Sequence, residues 1–202
     1  EGILFERAYC QQAVCSPSRT SLLTGLRPDS TRVYDLTTHF RNTIPDVITL
    51  PQYFRNKGYH TEWWGKIYHA NLLDSLSWSI PGRQYEPGSN WRGYAMEESK
   101  RIASARNGRG PAFEIGEVSD NAYPDGQVAE GAIESIKKLA GSDQPFFLAV
   151  GFLKPHLPFN APKKYWDLYD PADITIPQRQ SPPLNAPDFA GHNSGELRQY
   201  AG

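Results

Sequence analysis

The amino-acid sequence predicts an α/β fold with a mostly parallel sheet flanked by helices. The first observation is an order that occurs twice: a helical segment, a glycine that ends it, and a short strand. This order is typical of βαβ units, in which consecutive strands run parallel. The second observation is composition, because 39% hydrophobic and 21% charged residues in a chain of 202 are ordinary for a globular domain.

Local signals place two helices in the first part of the chain. Ser16 to Thr24 is predicted to be helical, with Pro17 in its first turn and Gly25 ending it. Residues 49–52, Thr-Leu-Pro-Gln, form a capping-box pattern that predicts a second helix, which we expect to end at Gly58.

Two strands and a long helix are predicted next. Tyr59 to Trp64 is the first strand, and Phe146 to Val150 is a continuous apolar run, as expected of a strand buried on both faces. Between them we expect a helix from Gly126 to Ala140 with Asp125 as its N-cap. Its apolar residues recur at helical spacing and predict one buried face, made of Ala129, Ala132, Ile133, Ile136, Leu139 and Ala140.

The segment from residue 70 to residue 120 is predicted to be an irregular insertion, because it is polar and lacks a sustained hydrophobic period. Its aromatic residues Trp78, Tyr85 and Trp91 could stack on sugar faces, but packing in a core is the favoured interpretation.

Charge and cysteine content exclude several classes of protein. A net charge of −1 gives no electrostatic footprint for nucleic acid. No stretch approaches the roughly 18 apolar residues of a membrane span. Cys10 and Cys15 are too few for a disulfide-rich scaffold or a zinc site made of cysteines alone.

The run Cys15-Ser16-Pro17-Ser18-Arg19 most directly indicates chemistry. Cys15 lies just before a predicted helix, where free amides and the helix dipole favour an anion and can activate a thiol. Arg19 follows one turn later and has planar donors suited to sulfate or phosphate. The alternatives are a small buried cysteine with a solvated arginine, or a disulfide between Cys10 and Cys15.

Two loops follow the two predicted strands directly, and each carries a lysine and a histidine. Lys66 and His69 follow the first strand, and Lys154 and His156 follow the second. Because ligands of open α/β sheets bind outside the carboxyl ends of the strands, these four residues are candidate site residues. Each could instead be a solvated lysine or a hydrogen-bonded loop histidine.

These motifs together resemble the type I, formylglycine-dependent sulfatases, whose signature is C-X-P-S-R. The resemblance extends over most of residues 3–170 and is greatest to the iduronate-2-sulfatase-like branch of the family. The segments that carry it are the longer run around the pentapeptide, residues 8–28, then residues 29–35, residues 77–81, Gly65-Lys66-X-X-His69, and residues 145–159 with Lys154-Pro155-His156.

The resemblance implies an alkaline-phosphatase-like fold, of which residues 1–202 are an N-terminal fragment. The family takes Asp metal ligands from a first strand and from later strands that this sequence lacks. We therefore expect the fragment alone to be inactive.

The resemblance also implies roles for the site residues. A formylglycine-generating enzyme would convert Cys15 to formylglycine, whose hydrate attacks sulfur and then releases sulfate. Arg19 would hold the hydrate, and His69 would take its proton. Substrate contacts would come from Lys66, His156 and Lys154.

A calcium ion is implied as well. Of its roughly six to eight oxygen ligands, only Cys15, as formylglycine, lies in this chain.

The implied activity is hydrolysis of a sulfate ester on a sulfated sugar, a polysaccharide or another small sulfate ester. One alternative is a phosphonate or phosphate ester hydrolase of the same superfamily, because these anions are also tetrahedral. Another is a catalytically inactive, sulfatase-like binding module. We expect a periplasmic or secreted protein, or a lysosomal one if the source is eukaryotic.

Overall fold

The computed structural model describes residues 2–82, 91–178, 181–182, 184–191 and 193–201. The chain divides into two compact units. The first comprises Glu1–Gln84 and Val128–Phe152, and the second comprises Tyr85–Gln127 and Leu153–Gly202. The helices are α1 (Cys15–Thr24), α2 (Pro28–Thr31), α3 (Leu50–Asn56), α4 (Glu97–Ser104), α5 (Pro124–Ala140) and α6 (Lys163–Trp166), and the strands are β1 (His60–Gly65), β2 (Phe113–Gly116), β3 (Phe146–Gly151) and β4 (Phe159–Pro162).

The helix ends predicted for α1 and α3 are confirmed. Gly25 adopts a left-handed conformation, with φ of 70°, and its N–H donates to the carbonyl of Ser21. At α3 both halves of the capping box are present, since Thr49 Oγ1 accepts from the Gln52 amide and the Gln52 side chain accepts from the Thr49 amide. Both helices end where short-range signals place them.

The predicted parallel pairing is confirmed in the first unit. β1 and β3 run parallel, with His60 opposite Phe146 and Gly65 opposite Gly151. β3 is only half-buried, and Val150 is 38% exposed. It differs from the expected doubly buried strand because, within the described part of the chain, β3 hydrogen-bonds to β1 alone.

A close approach of two glycines ends this sheet. Gly65 has a φ of 74°, and a Cβ built on it would lie 2.0 Å from the carbonyl oxygen of Gly151. The amide of the next residue, Lys66, donates to the same oxygen at 2.6 Å. Since only glycine fits here, Gly65 sets the point at which the chain leaves the sheet, and it thereby sets the position of Lys66.

Aromatic side chains form the core beside this sheet. The Trp78 indole Nε1 donates to the Tyr68 hydroxyl at 2.7 Å, and Trp63 packs edge-on against Tyr68. Trp78 is 5% exposed, so the interpretation of this tryptophan as a core residue is confirmed. The buried residues of the cluster are Leu23, Val33, Phe40, Trp63, Tyr68 and Trp78.

The buried face of α5 is rotated from the predicted one. Ala132 and Leu139 are buried, but Ile133 and Ile136 are 51% and 47% exposed. The residues that complete the buried face are Val128, Gly131 and Ser135.

Contacts with β1 explain this rotation. Gly131 leaves room for the Trp64 ring, which would lie 2.4 Å from an added Cβ. Ser135 accepts from Trp64 Nε1 at 2.8 Å and donates to the buried carboxylate of Glu62 at 2.6 Å.

The second unit contains a separate parallel pair, β2 and β4, in which Phe113 lies opposite Phe159. The buried carboxylate of Glu114 accepts from the amides of Ala95 and Met96, at 2.7 and 3.2 Å, just before α4 begins. The segment expected to be irregular, residues 70–120, therefore contains α4 and β2.

Within the described residues, no helix has both the length and the apolar character that crossing a membrane requires. Tyr85, one of the aromatic residues of the segment 70–120, lies outside the described residues.

Candidate active site

Cys15 is the first residue of α1 and is partly exposed. The preceding residue, Val14, is extended and places no capping side chain on the helix N-terminus. The amides of the first turn are therefore left to other acceptors, which gives this end of α1 its affinity for negative charge. Cys10 and Cys15 are both free thiols, so the alternative of a disulfide between them is not what the structure shows.

Two cations lie beside Cys15. The Lys66 ammonium Nζ lies 3.9 Å from the Cys15 Sγ. Arg19 Nη1 donates to the backbone carbonyls of Lys66 and Ile67, at 2.5 and 3.3 Å. The structure therefore brings together Cys15, Arg19 and Lys66, which the sequence singled out from two separate motifs.

Burial affects the charge of this group. Desolvation lowers the pKa of Arg19, and the neighbouring Cys15 opposes that fall. Because the ordinary pKa of an arginine side chain lies far above neutral pH, Arg19 stays a cation there.

His69 lies in the same unit, three residues beyond Lys66 in the loop that follows β1. It lines a small cavity under α1 together with Arg19 and Tyr68, and its Nδ1 is buried. Its backbone carbonyl accepts from the Leu72 amide at 3.1 Å. His69 and Arg19 thus line the same cavity. The catalytic role of His69 stays a prediction.

Lys154 and His156 lie in the second unit. The Lys154 ammonium donates to the backbone carbonyls of His156 and Pro158, at 3.3 and 2.6 Å. These contacts place the charge of Lys154 within its own loop. Its assignment as a substrate-binding residue stays a prediction.

The imidazole of His156 is held on three sides. Its Nδ1 lies 2.8 Å from the carbonyl of Leu157, and its Nε2 lies 3.5 Å from a carboxylate oxygen of Glu196. The Trp91 ring packs edge-on against it, with 5.1 Å between ring centroids. A carbonyl oxygen only accepts, so Nδ1 donates to Leu157, and Nε2 donates to an acceptor such as Glu196 when it also carries a proton.

Asp125 is a residue whose role sequence reasoning missed. The sequence predicts it as an N-cap, but α5 begins one residue earlier, at Pro124. The carboxylate instead accepts from the amides of Leu153 and Lys154, at 2.7 and 2.9 Å. These partners are 28 and 29 residues away, so no local sequence pattern could reveal the contact.

The described residues do not by themselves fit a calcium ion. Among them, no group of three or more His, Cys, Asp and Glu side chains lies close enough together to hold a metal. Calcium prefers about six to eight oxygen ligands, several of them carboxylates. The role of Cys15 as a metal ligand stays a prediction.

The chain is similar to known proteins over most of its length. The chain is 36% identical to iduronate 2-sulfatase of Mus musculus over 209 residues, which cover 98% of this chain and 37% of that protein. It is 34% identical to a sulfatase of Formosa agariphila over 197 residues, covering 91% of this chain and 38% of the relative. Among solved structures, phosphonate monoester hydrolase of Agrobacterium radiobacter matches with a TM-score of 0.51 and 26% identity, over 83% of this chain and 36% of that one.

The chain thus spans little more than a third of the length of these relatives. The Sulfatase family model matches residues 1–201. Since that match covers nearly every residue, the chain belongs to the sulfatase family.

Proposed function

We propose that the complete protein containing this chain hydrolyses sulfate esters, with a formylglycine made from Cys15 as its nucleophile. The observation that carries the proposal is the placement of Cys15 at the N-terminus of α1, with the Lys66 ammonium 3.9 Å from its sulfur. Formylglycine supplies a hydrated aldehyde, in which one hydroxyl can attack sulfur and the other can afterwards release sulfate.

Electrostatics favours a tetrahedral anion at this place. Two opposite unit charges 4 Å apart attract by about 4 kcal/mol at the effective dielectric constant of a protein surface. Lys66 is therefore positioned to bind a sulfate oxygen and to offset the charge that develops in the transition state. The amides at the start of α1 add partial positive charge on the same side.

Arg19 and His69 have supporting roles in this proposal. Arg19 holds the main chain at Lys66 and Ile67 and keeps a positive charge close to Cys15. His69 shares the cavity under α1 with Arg19 and is the candidate base for the hydroxyl proton. His156 is the candidate for contact with the sulfate or the bridging oxygen.

The proposed substrate is a sulfated sugar or polysaccharide. A relative at 36% identity is named for a sulfate on iduronate, a sugar acid, which supports this class. A second candidate function is hydrolysis of phosphonate or phosphate esters. It is favoured by the structural likeness to a phosphonate monoester hydrolase, with a TM-score of 0.51.

Maturation and location complete the proposal. A formylglycine-generating enzyme would read the segment around Cys15, Pro17 and Arg19 before the chain folds. We also propose a periplasmic or secreted protein, in keeping with a polymeric sulfated substrate.

Peptide mass spectrometry of the complete protein, isolated from its native host, tests the first half of the proposal. The peptide that carries Cys15 is expected to lack the thiol and to contain an aldehyde that reacts with hydrazine reagents. An unmodified thiol in every molecule would refute the formylglycine mechanism for this protein.

Paired assays on an aryl sulfate and an aryl phosphonate ester test the second half. Faster sulfate hydrolysis, abolished by Cys15→Ala and unchanged by Cys10→Ala, is the expected result, because Cys10 is an exposed free thiol outside the site. Faster phosphonate hydrolysis would establish the second candidate. Binding of a sulfated oligosaccharide without release of its sulfate, and without cleavage of either aryl ester, would instead indicate a binding module.

A further inference from the structure

The loop of residues 153–158, which carries His156, is held at both of its ends by charged side chains of the second unit. At its start, the two carboxylate oxygens of Asp125 accept from consecutive amides, Leu153 N–H at 2.7 Å and Lys154 N–H at 2.9 Å. Hydrogen bonds to an ionised acceptor are stronger than neutral ones. Asp125 therefore fixes the direction in which the chain enters the loop.

The Lys154 side chain hydrogen-bonds to the main chain of its own loop. Its ammonium donates to the carbonyls of His156 at 3.3 Å and Pro158 at 2.6 Å. The His156 amide in turn donates to the Leu153 carbonyl at 2.9 Å. The main chain on both sides of His156 is thus tied to the part of the loop that Asp125 holds.

These hydrogen bonds determine which ring nitrogen of His156 faces away from the loop. Its Nδ1 lies 2.8 Å from the Leu157 carbonyl, which belongs to the same tied loop. That contact occupies Nδ1 and leaves Nε2 as the nitrogen that can meet a ligand. The groups that face Nε2 and the ring are the Glu196 carboxylate, at 3.5 Å, and the Trp91 indole.

We propose that Asp125 and Lys154 are positioning residues that orient the imidazole of His156, and that Lys154 does not itself bind the substrate. This inference rests on the proposed function, in which His156 contacts the sulfate ester. Catalytic rates depend steeply on such placement, since an error of about 1 Å can cost about 100-fold in rate.

The test uses variants of the complete natural protein, assayed with 4-nitrophenyl sulfate. Asp125→Asn keeps the size of the side chain but turns an NH₂ group toward one of the two amides. Lys154→Met keeps the aliphatic stem and removes the ammonium. The matched control is Asp170→Asn, because Asp170 also accepts from a backbone amide, that of Ala172 at 2.9 Å, but is exposed and separate from the loop.

Asp125→Asn and Lys154→Met are expected to lower kcat by about 10- to 100-fold, with KM changed by less than about threefold. Asp170→Asn should leave both constants unchanged. Combining Asp125→Asn with His156→Gln should be no slower than His156→Gln alone, because a residue that acts through His156 has no effect once the imidazole is gone.

Three results would overturn the proposal. The first is an equal kcat for Asp125→Asn and Asp170→Asn. The second is a double variant, Asp125→Asn with His156→Gln, whose loss of rate equals the product of the two single losses, and the third is a raised KM with normal kcat in Lys154→Met. If Asp125→Asn does not fold, Lys154→Met decides.

If the natural protein does not hydrolyse the ester, the proposed function fails. The positioning role is then tested by crystal structures of the wild type, Asp125→Asn and Asp170→Asn. His156 Nε2 should move by about 1 Å or more in Asp125→Asn alone, and an unmoved imidazole would refute the role.

Discussion

Removing the guanidinium of Arg41 is expected to destabilise the first unit strongly. Arg41 Nε and Nη2 donate to the two carboxylate oxygens of Asp74, at 3.1 and 2.8 Å. Its remaining donors reach the carbonyls of Pro45 and Val47, at 2.9 and 2.5 Å, and the Gln52 side chain at 2.8 Å. The side chains of Arg41 and Asp74 are only 14% and 3% exposed.

The magnitude follows from what Arg41→Met leaves behind. Asp74 would keep the hydrogen bond from Ser77 but lose both bonds to the guanidinium. Breaking a buried ion pair by removing one partner costs about 3–5 kcal/mol of unfolding free energy, because an unpaired charge stays buried. Replacing both partners with apolar residues should cost less than either single change.

The difference in stability between wild type and Arg41→Met should depend on pH in a predictable direction. Burial alone raises the pKa of Asp74, but hydrogen bonds from Arg41 and Ser77 outweigh it and lower the pKa below the ordinary 3.8. A lowered carboxylate pKa adds stability above pH 3.8 that is lost as pH falls through the folded-state pKa. The gap between wild type and Arg41→Met should therefore shrink in acid.

Urea unfolding, followed by tryptophan fluorescence, measures the effect, since Trp63 and Trp78 lie in the core beside this ion pair. The control is Arg101→Met, which breaks an ion pair to Glu98 whose side chains are 72% and 66% exposed. Surface pairs contribute little, so that variant should unfold like the wild type. Equal midpoints for Arg41→Met and Arg101→Met would refute the reasoning.

Two further variants test the sheet and the core in the same unfolding assay. Gly65→Ala should lose more than about 2 kcal/mol, because its Cβ would lie 2.0 Å from the Gly151 carbonyl at a φ of 74°, whereas Gly141→Ala, with 3.7 Å to the nearest atom, should be neutral. Burial raises the pKa of Tyr68 to about 12, so this residue alone should lower wild-type stability by about 3 kcal/mol between pH 10 and pH 12. Tyr68→Phe should lack this contribution and keep those of Tyr94 and Tyr123, whose pKa values burial also raises, so identical alkaline profiles of the two proteins would contradict the prediction.

Short-range signals predicted the parts of the fold that depend on neighbours in sequence. The left-handed glycine at residue 25 and the capping box at Thr49 each involve residues within four positions, and both are present. The parallel pairing of β1 and β3 also followed from the order of elements.

The misses come from burial patterns set by distant partners. On α5 the buried face includes Gly131 and Ser135, which a hydrophobic period cannot identify, because their partners Trp64 and Glu62 lie on β1. In β2 the pattern is reversed, since Glu114 is buried while Phe113 is 55% exposed. A carboxylate that accepts from backbone amides is acceptable inside a protein, and no propensity scale records that.

The sequence predicted that Cys15, Arg19 and Lys66 belong to one candidate site, but it did not predict the contacts that hold the site residues in place. Cys15 and Lys66 are 51 positions apart in the sequence. Cys15 lies at the start of a helix and Lys66 directly after a strand, and residues at such positions commonly meet at the carboxyl edge of an α/β sheet. The Lys154 ammonium donates to carbonyls of its own loop, contacts that the sequence did not predict, and its expected role at the substrate stays a prediction.

The two loops that carry the candidate residues are stabilised in the same way. In the first unit, a cation from α1, Arg19, binds the carbonyls of Lys66 and Ile67. In the second unit, an anion from α5, Asp125, binds the amides of Leu153 and Lys154. In each case a charged side chain on a helix holds the main chain of a loop, and that loop carries a residue that contacts the substrate in our proposal.

This arrangement changes how a loss of activity at Arg19 should be interpreted. A variant that keeps the charge, Arg19→Lys, has a compact ammonium in place of a planar fork and cannot reproduce the two contacts to Lys66 and Ile67 with the same geometry. Its effect therefore combines weaker binding of the anion with displacement of Lys66. Only a comparison with the structure of the variant separates these two terms, because both lower the stabilisation of the same transition state.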